Sequence, residues 1–268
     1  MEPRLLVSAQ MAGITRLYHY ERFKEEYLST VLREHKVHCS SPPNLNDPWD
    51  CKPWFNSHSL EDPETLEAAI ESFYRHAGDD LQYNLKALWE DRLRNSHEER
   101  VNFIERASRL NIEIISGRRI YCLTPHPDST LMWSHYAENH RGICLEFTTD
   151  NPLFGSALAV IYRSDYPEWT LHEFESPQRR AIEMLLTKAE DWRYEDEYRI
   201  VGVQFANNAG YLHPEGDYFR LPPGALKSVI AGCEADYAAI ATVVQEHVPD
   251  LPVKRAVRVP DRYSITIT

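Results

Sequence analysis

From Asp62 to Leu110 the chain carries helix-type patterning with no strand-type segment, and this uninterrupted block constrains the fold more than any other feature. Asp62 can cap a helix with Pro63 in its first turn, and Ser96 with Glu99 forms a capping box ahead of Val101, Phe103 and Ile104. Three helices are expected there. Short β-branched or aromatic runs alternate with helices elsewhere, so the block reads as a helical insertion, over about residues 62–110, laid against a sheet domain as a lid or partner surface. The fold class expected is α+β, with a mixed, mainly antiparallel sheet flanked by helices, and 268 residues suit a single domain carrying such an insertion.

The sheet-forming segments follow from composition. Ile14 to Tyr20 reads as a strand, and Glu21 to about His35 as a helix burying Phe23, Tyr27, Leu28, Val31 and Leu32. Lys36 to Ser40 is a short strand leading into a proline-rich loop, Ser41 to Asp50. After the insertion come a strand at Arg119 to Leu123, a helix near Thr130 to Asn139, and strands at Gly142 to Phe147 and Ala157 to Tyr162. A helix from Ser176 with Ile182, Leu185 and Leu186 buried leads to a strand through Phe205. Lys227 to Ala231 as strand, Ala235 to His247 as helix, and closing strands around Val253 to Val259 and Tyr263 to Ile267 complete the pattern, with no internal repeat.

An apolar fraction of 43% with 11% aromatics supports a large core. The opening stretch, Met1 to Ala12, lacks a basic start followed by a long apolar region, and no run is apolar enough for a membrane helix; the five cysteines are odd in number. A cytoplasmic protein with no membrane partner is expected. The net charge of -12 disfavours broad nucleic-acid binding, leaving Arg118 with Arg119, or Lys254, Arg255 and Arg258, as local basic patches or as ordinary solvated charges.

Chemistry concentrates in Trp192 to Val201. If Glu195 begins a strand, alternation puts Glu195, Glu197 and Arg199 on one face, two carboxylates beside a guanidinium. Such a group can hold substrate hydroxyls and stabilise a cationic transition state, the arginine keeping a carboxylate ionised; the structural alternative is a solvent-facing ion-pair ladder. Asn46, Asp47 and Asp50 offer further polar groups, or simply turn-forming side chains. Around Leu131 to His140, helical spacing groups Met132, His135 and Tyr136 on one face and Trp133, Ala137 and His140 on another. Cys-x-x-Cys and His-Glu-x-x-His spacings are missing, so no metal site is expected. Walker, Gly-x-Gly-x-x-Gly and Gly-x-Ser-x-Gly motifs are absent too, which disfavours a kinase, a Rossmann dehydrogenase or an α/β-hydrolase.

Four ordered motifs, Leu17-Tyr18-His19-Tyr20, Ser41-Pro42 with Asn46-Asp47-Pro48-Trp49-Asp50, Met132 to Ala137 with His140-Arg141-Gly142, and Trp192 to Arg199, resemble the bacterial family known as domain of unknown function 2971. The pattern also resembles the ADP-ribosyltransferase fold, in which a first-strand polar or aromatic residue, a later Ser or Tyr element and a late-strand Glu together bind NAD. A clear Ser-Thr-Ser element and a His-Gly-Thr start are lacking here. That resemblance implies Tyr18, His19 and Tyr20 at the first position, Ser40 and Ser41 at the second and Glu197 at the third. It further implies NAD as substrate, Tyr18 or Tyr20 stacking on nicotinamide, His19 at the adenosine ribose, and Glu195 orienting a nucleophile from a protein, a nucleic acid or water.

Two other readings remain open on the sequence. A metal-dependent nuclease would use Asp47, Asp50 and Glu195 with magnesium and a basic groove. A non-enzymatic module would bind a protein partner through the helical insertion, with the acidic strand serving only as an ion-pair ladder.

Overall fold

The computed structural model describes residues 6–52, 54–56, 58–76, 83–166, 168–169, 182–203 and 212–268. The chain is mixed α and β and divides into two compact units, one of residues 1–41, 118–162 and 190–268, the other of residues 42–117 and 163–189. Among the described residues, no helix is long and apolar enough to cross a membrane.

The first unit is built on a five-stranded sheet of order β1-β5-β12-β13-β14, with β1 Arg16–Glu21, β5 Ile143–Thr148, β12 Leu226–Ala231, β13 Val253–Arg258 and β14 Ile265–Ile267. Its neighbours pair antiparallel except β12 with β13, which run parallel and are joined through a helix, α7 (Tyr237–His247). Strand alternation divides the side chains between two faces. One carries Leu17, Leu145, Phe147 and Val229, covered by α1 (Glu25–Glu34) and α7 through Leu28, Val31, Leu32, Ile240 and Val244. The other buries Tyr20, Cys144, Ile230 and Ala256 against Met132 and Trp133 of α5 (Thr130–His135). Within the same unit β4 (Arg118–Leu123), β10 (Tyr198–Val203) and β6 (Leu158–Ala159) form a three-stranded sheet of order β4-β10-β6, and β2 (Lys36–His38) pairs with β11 (Tyr218–Arg220).

Most elements fall close to their sequence positions. Tyr27 is a correction, since it is 48% exposed whereas Leu28, Val31 and Leu32 fill the buried stripe of α1. The strand expected over Ala157 to Tyr162 is divided into β6 and β7 (Ile161–Arg163). The start of the helix expected from Ser176 lies outside the described residues; residues 182–185 are helical.

Between α5 and β5 the backbone passes through three successive left-handed residues, Glu138, Asn139 and His140. This tight path is closed by hydrogen bonds from Glu234 N to His140 O and from Gly232 N to Gly142 O, both 3.0 Å. A Cβ at Gly232 would overlap the His140 carbonyl, and one at Gly142 the Glu21 carbonyl. Gly232→Ala is therefore expected to cost about 1–3 kcal/mol, because backbone rather than a movable side chain would have to yield, and thermal unfolding would show it. An unchanged Tm would mean that the two segments separate without penalty.

The second unit contains β3 (Trp54–Phe55), α2 (Pro63–His76), α3 (Tyr83–Asn95), α4 (His97–Ser116), β8 (Glu168–Trp169) and β9 (Thr187–Ala189). Its core joins Leu60, Leu66, Ala69, Ile70, Leu93 and Ile104. Helix starts follow the expected chemistry: Asp62 Oδ2 accepts from Thr65 N at 2.8 Å, and Ser96 Oγ accepts from Glu99 N at 3.3 Å.

Candidate functional site

Glu195, Glu197 and Arg199 are 2%, 4% and 0% exposed, so the solvent-facing ladder is not what forms. Nor does the strand begin at Glu195. Residues Glu190–Glu195 form a 3-10 helix, Asp196 takes φ 44°, and β10 starts at Tyr198. Aspartate tolerates this left-handed geometry better than most residues, and its side chain reaches His126 Nε2 at 3.1 Å. The turn still leaves all three charged groups inward. Tyr136 OH donates to Glu195 Oε1 at 2.6 Å, and Arg199 grips Glu197 with two bonds, Nε to Oε1 at 2.7 Å and Nη2 to Oε2 at 3.0 Å. Two contacts hold the Glu197 main chain: Glu197 N donates to Tyr162 OH at 2.8 Å and Glu197 O accepts from Val160 N at 2.8 Å.

Sheet register ties this pair to the first strand. Tyr18 bridges Thr124 on one side, through bonds of 2.8 and 2.9 Å, and pairs with Glu146 on the other; Glu146 in turn pairs with Ser228. On the far edge of β4, Leu123 pairs with Tyr198, and continuing that register by one residue sets Glu197 beside Thr124. Residues directly opposite in antiparallel strands project to the same side. One polar row therefore crosses the unit in the order Glu197, Thr124, Tyr18, Glu146, Ser228, with neighbours roughly 5 Å apart.

Glu146 is the residue that sequence reasoning missed. It is 6% exposed in the middle strand, and its Oε2 accepts from Ser228 Oγ and from Lys254 Nζ, the latter at 2.6 Å. Its Oε1 stands 3.3 Å from Arg16 Nε. Burial pushes the carboxyl pKa up, but the Lys254 and Ser228 hydrogen bonds and the Lys254 and Arg16 charges outweigh it and hold the group below its ordinary value. Tyr18 is half-buried, and desolvation followed by the Glu146 charge raises its hydroxyl to about 12.

The other expected residues are distributed less favourably. His19 faces the opposite side of β1, stacked on Tyr121 at 4.2 Å with Nδ1 2.7 Å from Cys122 O. The residue is partly exposed, yet desolvation of its ring lowers the imidazole to about 4, so it is neutral at pH 7. Tyr20 is committed to the core, its hydroxyl donating to His126 O at 2.6 Å and its ring lying edge-on to Trp133. Ser40 bridges Ile120 on β4, and Ser41 follows it, partly buried. Trp133 is fully buried and donates to Pro127 O at 2.9 Å.

His135 is exposed and lies 2.9 Å from Tyr194 OH, within a group of rings that includes Tyr136 and Trp192. His140 does not share a helical face with Trp133, because α5 ends at His135 and His140 sits in the left-handed turn. The basic patches are engaged too. Arg119 pairs with Asp217, Lys254 with Glu146 and Arg258 with Glu234, and Arg255 lies over the Tyr237 ring.

In the second unit Asp47 and Asp50 are 4% and 3% exposed and Asn46 is exposed. Asp47 Oδ1 accepts from Trp49 N at 2.9 Å, the turn-forming bond that the sequence allowed. Asp50 accepts from Cys51 Sγ at 3.3 Å and lies 3.9 Å from Lys188 Nζ, lining a cavity of about 130 Å³ with Trp49, Tyr166 and Met184. Among the described residues no group of three or more His, Cys, Asp and Glu side chains is arranged to hold a metal ion.

Residues 132–200 match the family model described as protein of unknown function, DUF2971. The match takes in Tyr136, Glu195, Glu197 and Arg199, with the Met132 to Ala137 and Trp192 to Arg199 motifs apart from Ser41 to Asp50 and Leu17 to Tyr20, which lie outside it. No curated protein matches the chain, and neither does any solved structure.

Proposed function

We propose that the first unit cleaves the bond between nicotinamide and ribose in NAD, as an ADP-ribosyltransferase or NAD glycohydrolase with an ADP-ribosyltransferase-like sheet. The observation carrying this reading is the polar row, in which Tyr18 and Glu197 share one face with Thr124 between them. Cleaving that bond develops an oxocarbenium ion, and a fixed carboxylate in a water-poor site stabilises such a charge without reorganising. Glu197 supplies the carboxylate, and Arg199 is a positioning residue that fixes its direction through two hydrogen bonds. Tyr18, the partly exposed tyrosine of the first strand, is the ring that stacks on nicotinamide. Glu195, aimed by Tyr136, orients the attacking hydroxyl or water.

His19 and Tyr20 take no direct part in this arrangement, since one faces the other side of β1 and the other is held in the core. Ser40 and Ser41 contribute from the strand edge beside β4. The acceptor is a protein side chain, a nucleic acid or water.

Nicotinamide release from NAD by the purified chain, with and without cell extract, tests the reading. Glu197→Gln is expected to lower the rate about a hundredfold or more while circular dichroism stays the same. Release by the variant at the normal rate, or no release by the wild type under either condition, would overturn the assignment. Tyr136→Phe removes the 2.6 Å hydrogen bond to Glu195 and is expected to lower kcat several-fold with KM for NAD little altered.

A further inference from the structure

The polar row does not end at Tyr18. Beyond it, Arg16 Nε and Lys254 Nζ stand 3.3 and 2.6 Å from opposite oxygens of Glu146, although they come from β1 and β13 at either side of the central strands. Both cations are anchored on the sheet side and open outward, with side chains 42% and 38% exposed, whereas Glu146 is 8% exposed. Arg16 is fixed further by Nη1 bonds to Thr15 O at 2.9 Å and Thr148 Oγ1 at 3.2 Å. Two cationic heads that would otherwise repel are thus held side by side by one buried anion. The cluster keeps a net charge of +1 and presents outward-facing N–H donors.

We propose that Arg16 and Lys254, spaced by Glu146, form a subsite for the diphosphate group of a nucleotide on the same face as Tyr18. Adjacent phosphoryl groups offer two closely spaced anionic centres, which a planar guanidinium and a neighbouring ammonium can meet together. Glu146 is the positioning residue, and Ser228 holds it from the far side. Three strand spacings, roughly 14 Å, separate Glu146 from Glu197 along the row, leaving room for a ribose and its 5′-methylene between the reacting carbon and the diphosphate. The choice of NAD as the nucleotide rests on the glycosidic reading above; diphosphate recognition does not.

Calorimetric titration of the full chain with ADP and with inorganic pyrophosphate tests the subsite. Binding of both is expected, weakening at least tenfold in Arg16→Ala and in Lys254→Met, recovering largely in Arg16→Lys, and falling as salt is raised. In parallel, the same two variants are expected to raise KM for NAD about tenfold with a smaller change in kcat. Thermal unfolding identifies a variant that has simply lost its fold, in which case Arg16→Gln replaces it. Wild-type chain that binds neither ligand at millimolar concentration, or folded variants that bind them unchanged, would overturn the subsite. If ADP binding is lost in the variants while wild-type chain releases no nicotinamide, the subsite stands and the glycosidic reading falls. If nicotinamide is released with KM unmoved by either substitution, the reaction stands and the subsite falls.

Discussion

Arg199→Met is expected to destabilise the first unit by about 3–5 kcal/mol, the cost typical of removing one partner from a buried ion pair. The guanidinium is fully buried and makes two bonds to a carboxylate that is itself only 4% exposed. Deleting it removes two charge-assisted donors from a carboxylate that water scarcely reaches. Replacing both partners, as Arg199→Met with Glu197→Leu, is expected to recover much of the stability, since two apolar side chains need no donors in the same space. On the NAD-cleaving reading proposed above, the double variant would still release nicotinamide about a hundredfold or more slowly than wild type, because the carboxylate is gone. Denaturant unfolding of the two singles and the double closes the cycle. A single Arg199→Met variant as stable as wild type would mean that Glu197 is not held by Arg199 in solution, and the positioning role would go with it.

A second large effect concerns Glu21 at the end of β1. Its Oε1 is buried without a hydrogen-bond partner, and desolvation raises its carboxyl from 4.5 to about 7. Burial raises the neighbouring Tyr121 hydroxyl and Cys144 thiol well above their ordinary values, and the Glu21 charge adds to both shifts. The folded protein therefore keeps this proton up to about pH 7, whereas the unfolded chain releases it near pH 4.5. Between those values the folded state binds more protons, so this group's contribution to stability declines as pH rises and is flat above about pH 7. The displacement corresponds to about 3 kcal/mol. Glu21→Gln should thus gain stability over wild type at pH 8 and little at pH 4. Urea midpoints measured across that range provide the check, and parallel curves for the two proteins would show that Glu21 titrates normally.

Much of the architecture was legible because patterning and capping are local properties. The capped helices of residues 62–110, the strands at β1, β4 and β5, and the α7-to-β14 succession fall near their expected places. What sequence could not give was pairing across long separations. Glu146 sits in the apolar run Ile-Cys-Leu-Glu-Phe-Thr, and its partners Arg16, Ser228 and Lys254 are identified only once the strand order is known. The Glu195 to Arg199 group was found by alternation, although the alternation is interrupted by the left-handed Asp196. Glu195 and the Glu197 backbone are met by Tyr136 and Tyr162, which lie far from them in the chain. His19 and Tyr20 show the converse: adjacent strand residues must point to opposite faces, so Tyr18, His19 and Tyr20 could not all meet one ligand.

The order of the central strands also governs how the polypeptide can fold as it is made. β1 emerges first, yet its partner β5 is complete only at Thr148, and β5 must then await β12 from near the end of the chain. Until β5 is made the first strand therefore exposes unsatisfied edges, while the intervening helices with their short-range contacts can already form. Chaperone demand and aggregation during expression should accordingly concentrate on chains truncated before Leu226, and slower translation alone would not relieve them.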